Sequence, residues 1–300
     1  MRSRTPVVAA ISVAIALTLA LVAIITLGRG SHEPPRGLDL APHLSSFAAG
    51  LDPERPYRPP NEAERRAGAD GFTALLDGGN VAGTRLEELG FSIRDGVDSV
   101  TGRRYTLAMN EPESERAWGV YLIDRSAPPS VVVEIPHPNS DLRTEQMGLS
   151  YFRMVPGAVL LMAGAHRRAG VQADVAHREN SMFHAIATEL AERGYGQIQL
   201  HGFHDSSQPG KDIVLSTGAA RVDDTALHMA DRLEAAGFAL CRAWAESCRG
   251  LEGAANVQGK MAAANGTAFL HIEVSSTIRA DERSREVVVG ALAAAREASY

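Results

Sequence analysis

The sequence predicts an α/β domain built on a mixed, partly parallel central sheet with helices on both faces. Three observations predict it. Short β-branched apolar runs, such as Val131-Val132-Val133-Glu134-Ile135, read as buried strands. Stretches of helical period lie between such runs. In residues 180–193, Met182, Phe183, Ile186 and Leu190 form one apolar face, and Gly194 ends it. Strands alternating with helices are the pattern of βαβ units. At 300 residues and 45% hydrophobic content, the chain can bury one large core or two small ones.

Charge and cysteine content exclude several classes. The 30 basic and 36 acidic residues leave a mildly acidic chain, and no Lys/Arg cluster is large enough for a nucleic-acid groove. Two cysteines, Cys241 and Cys248, exclude a disulfide-dense scaffold and a four-cysteine zinc site.

Residues 1–5 carry Arg2 and Arg4 and read as a cytoplasmic N-terminus. Residues 6–27 hold no charge over 22 positions, enough to cross a bilayer as a helix. The run exceeds a signal-peptide core, and Thr26-Leu27-Gly28-Arg29 is a poor cleavage site. It therefore reads as an uncleaved membrane anchor in preference to a removed signal. Positive charge ahead of the span places residues 30–300 outside the cytoplasm; cleavage would leave them secreted. Residues 28–60 hold Pro34, Pro35, Pro42, Pro53, Pro56, Pro59 and Pro60 and read as an extended linker. The alternative is a structured arm laid on the domain. The domain itself is read as residues 61–300.

Residues 61–76 predict a helix capped by Asn61. Residues 90–94, 104–109 and 118–123 predict short strands that carry no evident chemical group and build one side of a sheet. The run 131–135 ends at Pro136, which has no N–H for a ladder. Further strands are predicted at 157–163, 196–200, 212–215 and 268–275, and helices at 223–236, 238–248 and 281–298. A Cys241–Cys248 bond suits an exported domain. Yet seven residues of regular helix span roughly 10 Å, too far for a disulfide. The bond therefore requires the helix at 238–248 to break.

In open α/β sheets, ligands collect at the carboxyl ends of strands. The apolar strands deliver there His137 and Glu145, then His166 and Arg167, then His201, then Glu273 and Arg279. Two His and one Glu make a catalytic zinc set with one position open. A further Glu can act as general base, and an Arg can grip a carboxylate bidentately. Each residue also has a plainer reading. Glu145 can be a solvated helix charge, and Asp141 can cap the helix that starts there. His201 can be a satisfied core histidine. Glu273, inside an apolar strand, needs a partner, and Arg279 can supply it as a structural ion pair. Asp174 and His177, at i and i+3, can orient each other near the site, and His177 can donate to an oxyanion.

The order His-x(7)-Glu, then His-Gly, then a late-strand Glu is carried by His137, Glu145, His201-Gly202 and Glu273. It resembles the zinc carboxypeptidase-like, phosphorylase/hydrolase-like superfamily. That group includes carboxypeptidases, muramoyl-alanine amidases, formylglutamate amidohydrolases and poly-γ-glutamate hydrolases. The likeness spans roughly residues 130–280. It implies one zinc ion held by His137, Glu145 and His201, with Glu273 as catalytic carboxylate and Arg167 or Arg279 on the substrate. Carboxypeptidases space the first pair as His-x-x-Glu; seven residues intervene here, as is more usual in the amidase-like branches. Asp141, at His-x(3)-Asp, can take the place of Glu145. The implied function is an exported zinc-dependent hydrolase of an amide or peptide bond, with the location suggesting cell-wall or γ-linked peptides. Its rival is a non-catalytic exported domain of the same fold that binds a ligand or protein. A serine hydrolase is disfavoured because no Gly-x-Ser-x-Gly elbow is present.

Overall fold

The computed structural model describes residues 37–79 and 82–297. The anchor expected at residues 6–27 and the start of the expected linker lie outside the described residues. Among those described, no helix is long and apolar enough to cross a membrane.

Strands β1 (Phe91–Val97), β2 (Arg104–Asn110) and β3 (Val120–Asp124) form an antiparallel flank. β3 pairs antiparallel with β5 (Ala158–Met162). A parallel block follows, made of β5, β4 (Val131–Ile135), β6 (Gln197–Phe203) and β9 (Phe269–Ser275). β7 (Ile213–Ser216) runs antiparallel to β9, and β8 (Leu240–Arg242) lies parallel to β7 at the far edge. The sheet order is β1-β2-β3-β5-β4-β6-β9-β7-β8. The central strands are buried on both faces, which is why β4 and β5 read as continuous apolar runs.

Helices cover both faces. Helices α1 (Leu40–Ala49), α4 (Thr144–Met154), α6 (Asp224–Ala235) and α9 (Glu282–Glu297) pack on one side, with Leu40, Phe47, Tyr151, Leu233 and Leu292 in its core. Helices α2 (Glu62–Leu76), α3 (Ala82–Glu88), α5 (Met182–Glu192) and α7 (Val257–Asn265) cover the other, around Phe72, Trp118, Tyr121 and Phe183. A short helix, α8 (Ser276–Ala280), follows β9. Asn61 caps α2 in a full capping box with Glu64, and Asp223 caps α6 through Ala226 N.

Two expectations differ from the structure. Of the linker read at 28–60, Leu40–Ala49 form a helix. The packed unit runs from Gly37, and α1 buries Leu40, Leu44 and Phe47. Over residues 37–60 the chain matches the structured arm weighed as the alternative. The helix expected at 238–248 is absent. Gly237, at φ 95°, ends α6, the chain pairs as β8 with β7, and Cys241 and Cys248 are joined with their Cα atoms 6.0 Å apart. Strand pairing and the bond together displace a locally helical sequence. Replacing both cysteines by serine is expected to lower the unfolding free energy by about 2.5 kcal/mol, the chain-entropy value for so short a loop. The readout is the urea midpoint, and an unchanged midpoint would count against any stabilising role for the bond.

Candidate metal centre

Three chain segments deliver the site. Pro136 ends β4 and releases His137 at the sheet's carboxyl edge. The His137 carbonyl accepts from Ser140 N (3.0 Å) and Asp141 N (2.8 Å), a turn that folds Asp141 back beneath the imidazole. Arg143 then takes a left-handed φ of 71°, so that α4 starts immediately after the turn. His201 lies within β6, which runs three residues further than the sequence suggests, and stands in register with Glu273 on β9.

One carboxylate oxygen is the meeting point. Asp141 Oδ2 lies 3.3 Å from His137 Nδ1 and 3.2 Å from His201 Nδ1. The imidazoles of His137 and His201 have centroids 4.9 Å apart. All three side chains are buried, and their ligand-type atoms lie within 4.8 Å of one another. Ligands about 2.0–2.1 Å from a tetrahedral zinc stand about 3.4 Å from each other, so both distances to Asp141 fit the edges of such a site.

The outer nitrogens decide where the lone pairs point. His137 Nε2 donates to Asp174 Oδ1 at 2.8 Å. Burial raises the Asp174 carboxyl, but hydrogen bonds from His137 and His177 and the charge of Arg167 outweigh it and hold it far below the usual carboxylate range. His201 Nε2 meets Gln199 Oε1 at 2.7 Å. Burial lowers the His201 pKa to about 4, so this ring is neutral. With its proton on Nε2, its Nδ1 lone pair faces Asp141. Burial pushes Asp141 up, but pairing with His137, led by its hydrogen bond, brings it well below the usual range. Burial likewise opposes a charged His137, yet its two aspartates outweigh that and raise its pKa. A carboxylate and two imidazole nitrogens of this kind are a donor set for a divalent cation, which on binding would displace any proton on the ligating nitrogens.

Glu273 lies beside this set. Its Oε2 is buried without a hydrogen-bond partner. Burial first, and then the Asp141 charge, raise its pKa to about 8. His271, two residues earlier on the same strand face, stacks 4.5 Å from His201. His201, His271 and Glu273 form a second, overlapping group of possible ligands.

The other expected residues divide. Arg167 joins the site: Nη2 donates to Asp174 Oδ2 at 2.7 Å, and Nη1 lies 3.2 Å from His137 Nδ1. His177 is half-exposed, with Nδ1 3.1 Å from Asp174 Oδ1. Glu145 stands apart from both ligand groups. It points away from the histidines to the neighbouring α1, where Oε1 accepts from Ser45 at 3.2 Å. Asp141, through the four-residue turn, is the carboxylate brought to the histidines. Arg279 is buried over Gly202, and its guanidinium donates to the carbonyls of Val274 (3.0 Å), Leu142 (2.5 Å) and Phe203 (3.2 Å). It ties strand ends together. His166 bonds Ser140 and the Arg168 amide, a structural role.

Sequence reasoning missed Gln199 and Glu134. Period 2 places Gln199 on the same strand face as His201, a signal that could have found it. Glu134 is fully buried and accepts from Gln199 Nε2 at 2.7 Å. Burial raises its pKa to about 8, against the single bond from Gln199. An unfolded Glu loses its proton near about pH 4.3. The folded state therefore holds an extra proton between these values, and the stability linked to it is lost as pH rises through about 8. A Glu134→Gln variant has no such proton to lose. Its melting temperature relative to wild type is expected to climb from about pH 5 to about pH 8.5; parallel curves would mean that Glu134 ionises normally in the fold.

No family model and no curated protein matches the chain. In structure it is similar to a bacteriophage poly-gamma-glutamate hydrolase, at 16% identity over 60% of this chain and 88% of that one (TM-score 0.44). It is also similar to a metallo-carboxypeptidase from Pseudomonas aeruginosa, solved with (2-guanidinoethylmercapto)succinic acid, at 16% identity over 73% and 69% (TM-score 0.41). A third likeness is to an aspartoacylase family protein from Mesorhizobium loti, at 13% identity over 68% of each chain (TM-score 0.33).

Proposed function

We propose that this chain is a zinc-dependent hydrolase of amide or peptide bonds, with one ion held by His137, Asp141 and His201. The observation that carries the reading is the convergence of His137 Nδ1 and His201 Nδ1 on Asp141 Oδ2, at 3.3 and 3.2 Å, beside a buried Glu273 oxygen with no partner. A zinc ion in that set supplies Lewis acidity, polarising a carbonyl and acidifying water.

The chain's own groups do the rest. Glu273 Oε2 takes a proton from the attacking water and returns it to the leaving nitrogen. It ionises more readily once positive charge balances Asp141. Arg167, a third exposed and anchored through Asp174, holds the substrate's carbonyl oxygen or a nearby carboxylate. The outer ring edge of His177 offers a further hydrogen bond. Arg279 acts by holding the Leu142 carbonyl, and with it the turn that carries Asp141.

The proposed setting is outside the cytoplasm, on a single-pass anchor at residues 6–27. The Cys241–Cys248 bond supports an oxidising compartment. Cell-wall or γ-linked peptides are the substrates this setting favours.

Elemental analysis of the purified protein is expected to find about one zinc per chain, in line with a three-ligand site. Asp141→Asn and His201→Ala should lose it, while Glu145→Gln should keep it. Glu273→Gln should keep the metal and lose roughly 10²–10⁴ in turnover of γ-linked or cell-wall peptide amides. A folded chain that takes up no zinc would sink the hydrolase reading. Bound zinc with no amide cleavage would favour the binding-domain rival.

A further inference from the structure

Behind His201 lies a chain of buried side-chain amides whose orientation is dictated by the backbone at both ends. At one end, Gly259 N donates to Asn256 Oδ1 at 3.0 Å. The Asn256 oxygen is thereby assigned, and its Nδ2 is left to donate to Gln199 Oε1. At the other end, Gln258 Nε2 donates to the Val175 carbonyl at 3.0 Å. Its Oε1 is therefore the atom that accepts from Gln199 Nε2 at 3.3 Å. A backbone N–H can only donate and a carbonyl can only accept.

Both ends fix Gln199 in the same sense. Its oxygen faces Asn256 and His201, and its nitrogen faces Gln258 and Glu134. Reversing it would set NH₂ against NH₂ at Asn256 and oxygen against oxygen at Gln258. Glu134, Gln199 and Gln258 are fully buried and Asn256 nearly so, and each such mismatch is costly without water. With the Gln199 oxygen fixed at 2.7 Å from His201 Nε2, that nitrogen must carry the proton.

The same Gln258 reaches the other histidine. Val175, whose carbonyl it holds, follows Asp174, the acceptor of His137 Nε2–H. One glutamine at the start of α7 thus braces the supports of both imidazoles and touches neither of them.

We propose that Gln199 and Gln258 are positioning residues: an amide relay running from Gly259 and Val175 presets His201 as its Nε2–H tautomer and holds Asp174 against His137. The His201 Nδ1 lone pair is thereby aimed at Asp141 before any cation arrives. The inference rests on the zinc reading for its purpose, but the tautomer can be read without metal.

The experiment uses the full chain with ¹⁵N-labelled histidine. Long-range ¹H–¹⁵N spectra of the metal-free wild type are expected to show His201 as the Nε2–H tautomer. In Gln199→Leu, Asp141 becomes the remaining acceptor for that ring, and His201 should shift to Nδ1–H. Zinc affinity, measured by chelator competition, should fall about 10–100-fold, the usual effect of losing an outer partner of a metal-ligating histidine. Gln258→Leu, which touches neither imidazole, should lower zinc affinity in the same direction and carries the test if Gln199→Leu does not fold. A folded Gln199→Leu that keeps Nε2–H on His201, or either folded variant with zinc affinity within twofold of wild type, would overturn the relay. If the wild type takes up no zinc, the hydrolase reading fails, and the tautomer spectra alone decide the positioning claim.

Discussion

The site depends on where one atom, Asp141 Oδ2, is held. Two imidazole nitrogens lie within 3.3 Å of it, and one of them, in a neutral ring, offers a lone pair. Acceptors brought this close without charge between them repel. The fold overcomes that repulsion by rigidity: a backbone turn beneath His137, a strand under His201, and Arg279 fastened to the carbonyl beside Asp141. Unpaired polar atoms cluster around this point as well, with Glu273 Oε2 and His271 Nδ1 both buried and unbonded. Strain of this kind persists only where the surroundings over-determine it.

The sheet supplies that over-determination. β4, β6 and β9 are parallel neighbours, so their carboxyl ends line one edge. Alternation along β6 puts Gln197, Gln199 and His201 on one face, and along β9 puts His271 and Glu273 opposite Gln199 and His201. A polar row of this kind inside an otherwise apolar sheet is stabilised where its members satisfy one another. Gln199 is its centre, bonded to Glu134, His201, Asn256 and Gln258.

Most of the fold was legible because its strands are short, β-branched and bounded by glycine or proline. The run at 131–135 matches β4 without an error, and Asn61 caps the helix it was read to cap. His137, His201 and Glu273 were legible as a group because strand ends in such folds converge. The choice between Asp141 and Glu145 was not, since it turns on a reversal that returns the fourth residue after His137 and leaves the eighth on the far side of α4. Helix α1 was hidden: Leu40, Leu44 and Phe47 keep helical spacing, but the surrounding prolines suggest extension. At 238–248, local helical preference yielded to long-range pairing with β7.

The arm that carries α1 has a consequence for how this chain acquires its site. Ser45 bonds Glu145, and Asn139, inside the site loop, donates to the Leu51 carbonyl across 88 residues of sequence. Contacts so distant along the chain form late, because the loop they close must first lose its freedom. During synthesis the arm emerges first and must wait, apolar face exposed, for the segment it secures. The Asn139 bond that braces the His137–Asp141 turn forms only when the two ends of that long loop meet. The segment that braces the His137–Asp141 turn is thus one that long loop closure must first deliver, and it contributes no side chain to either group of possible ligands.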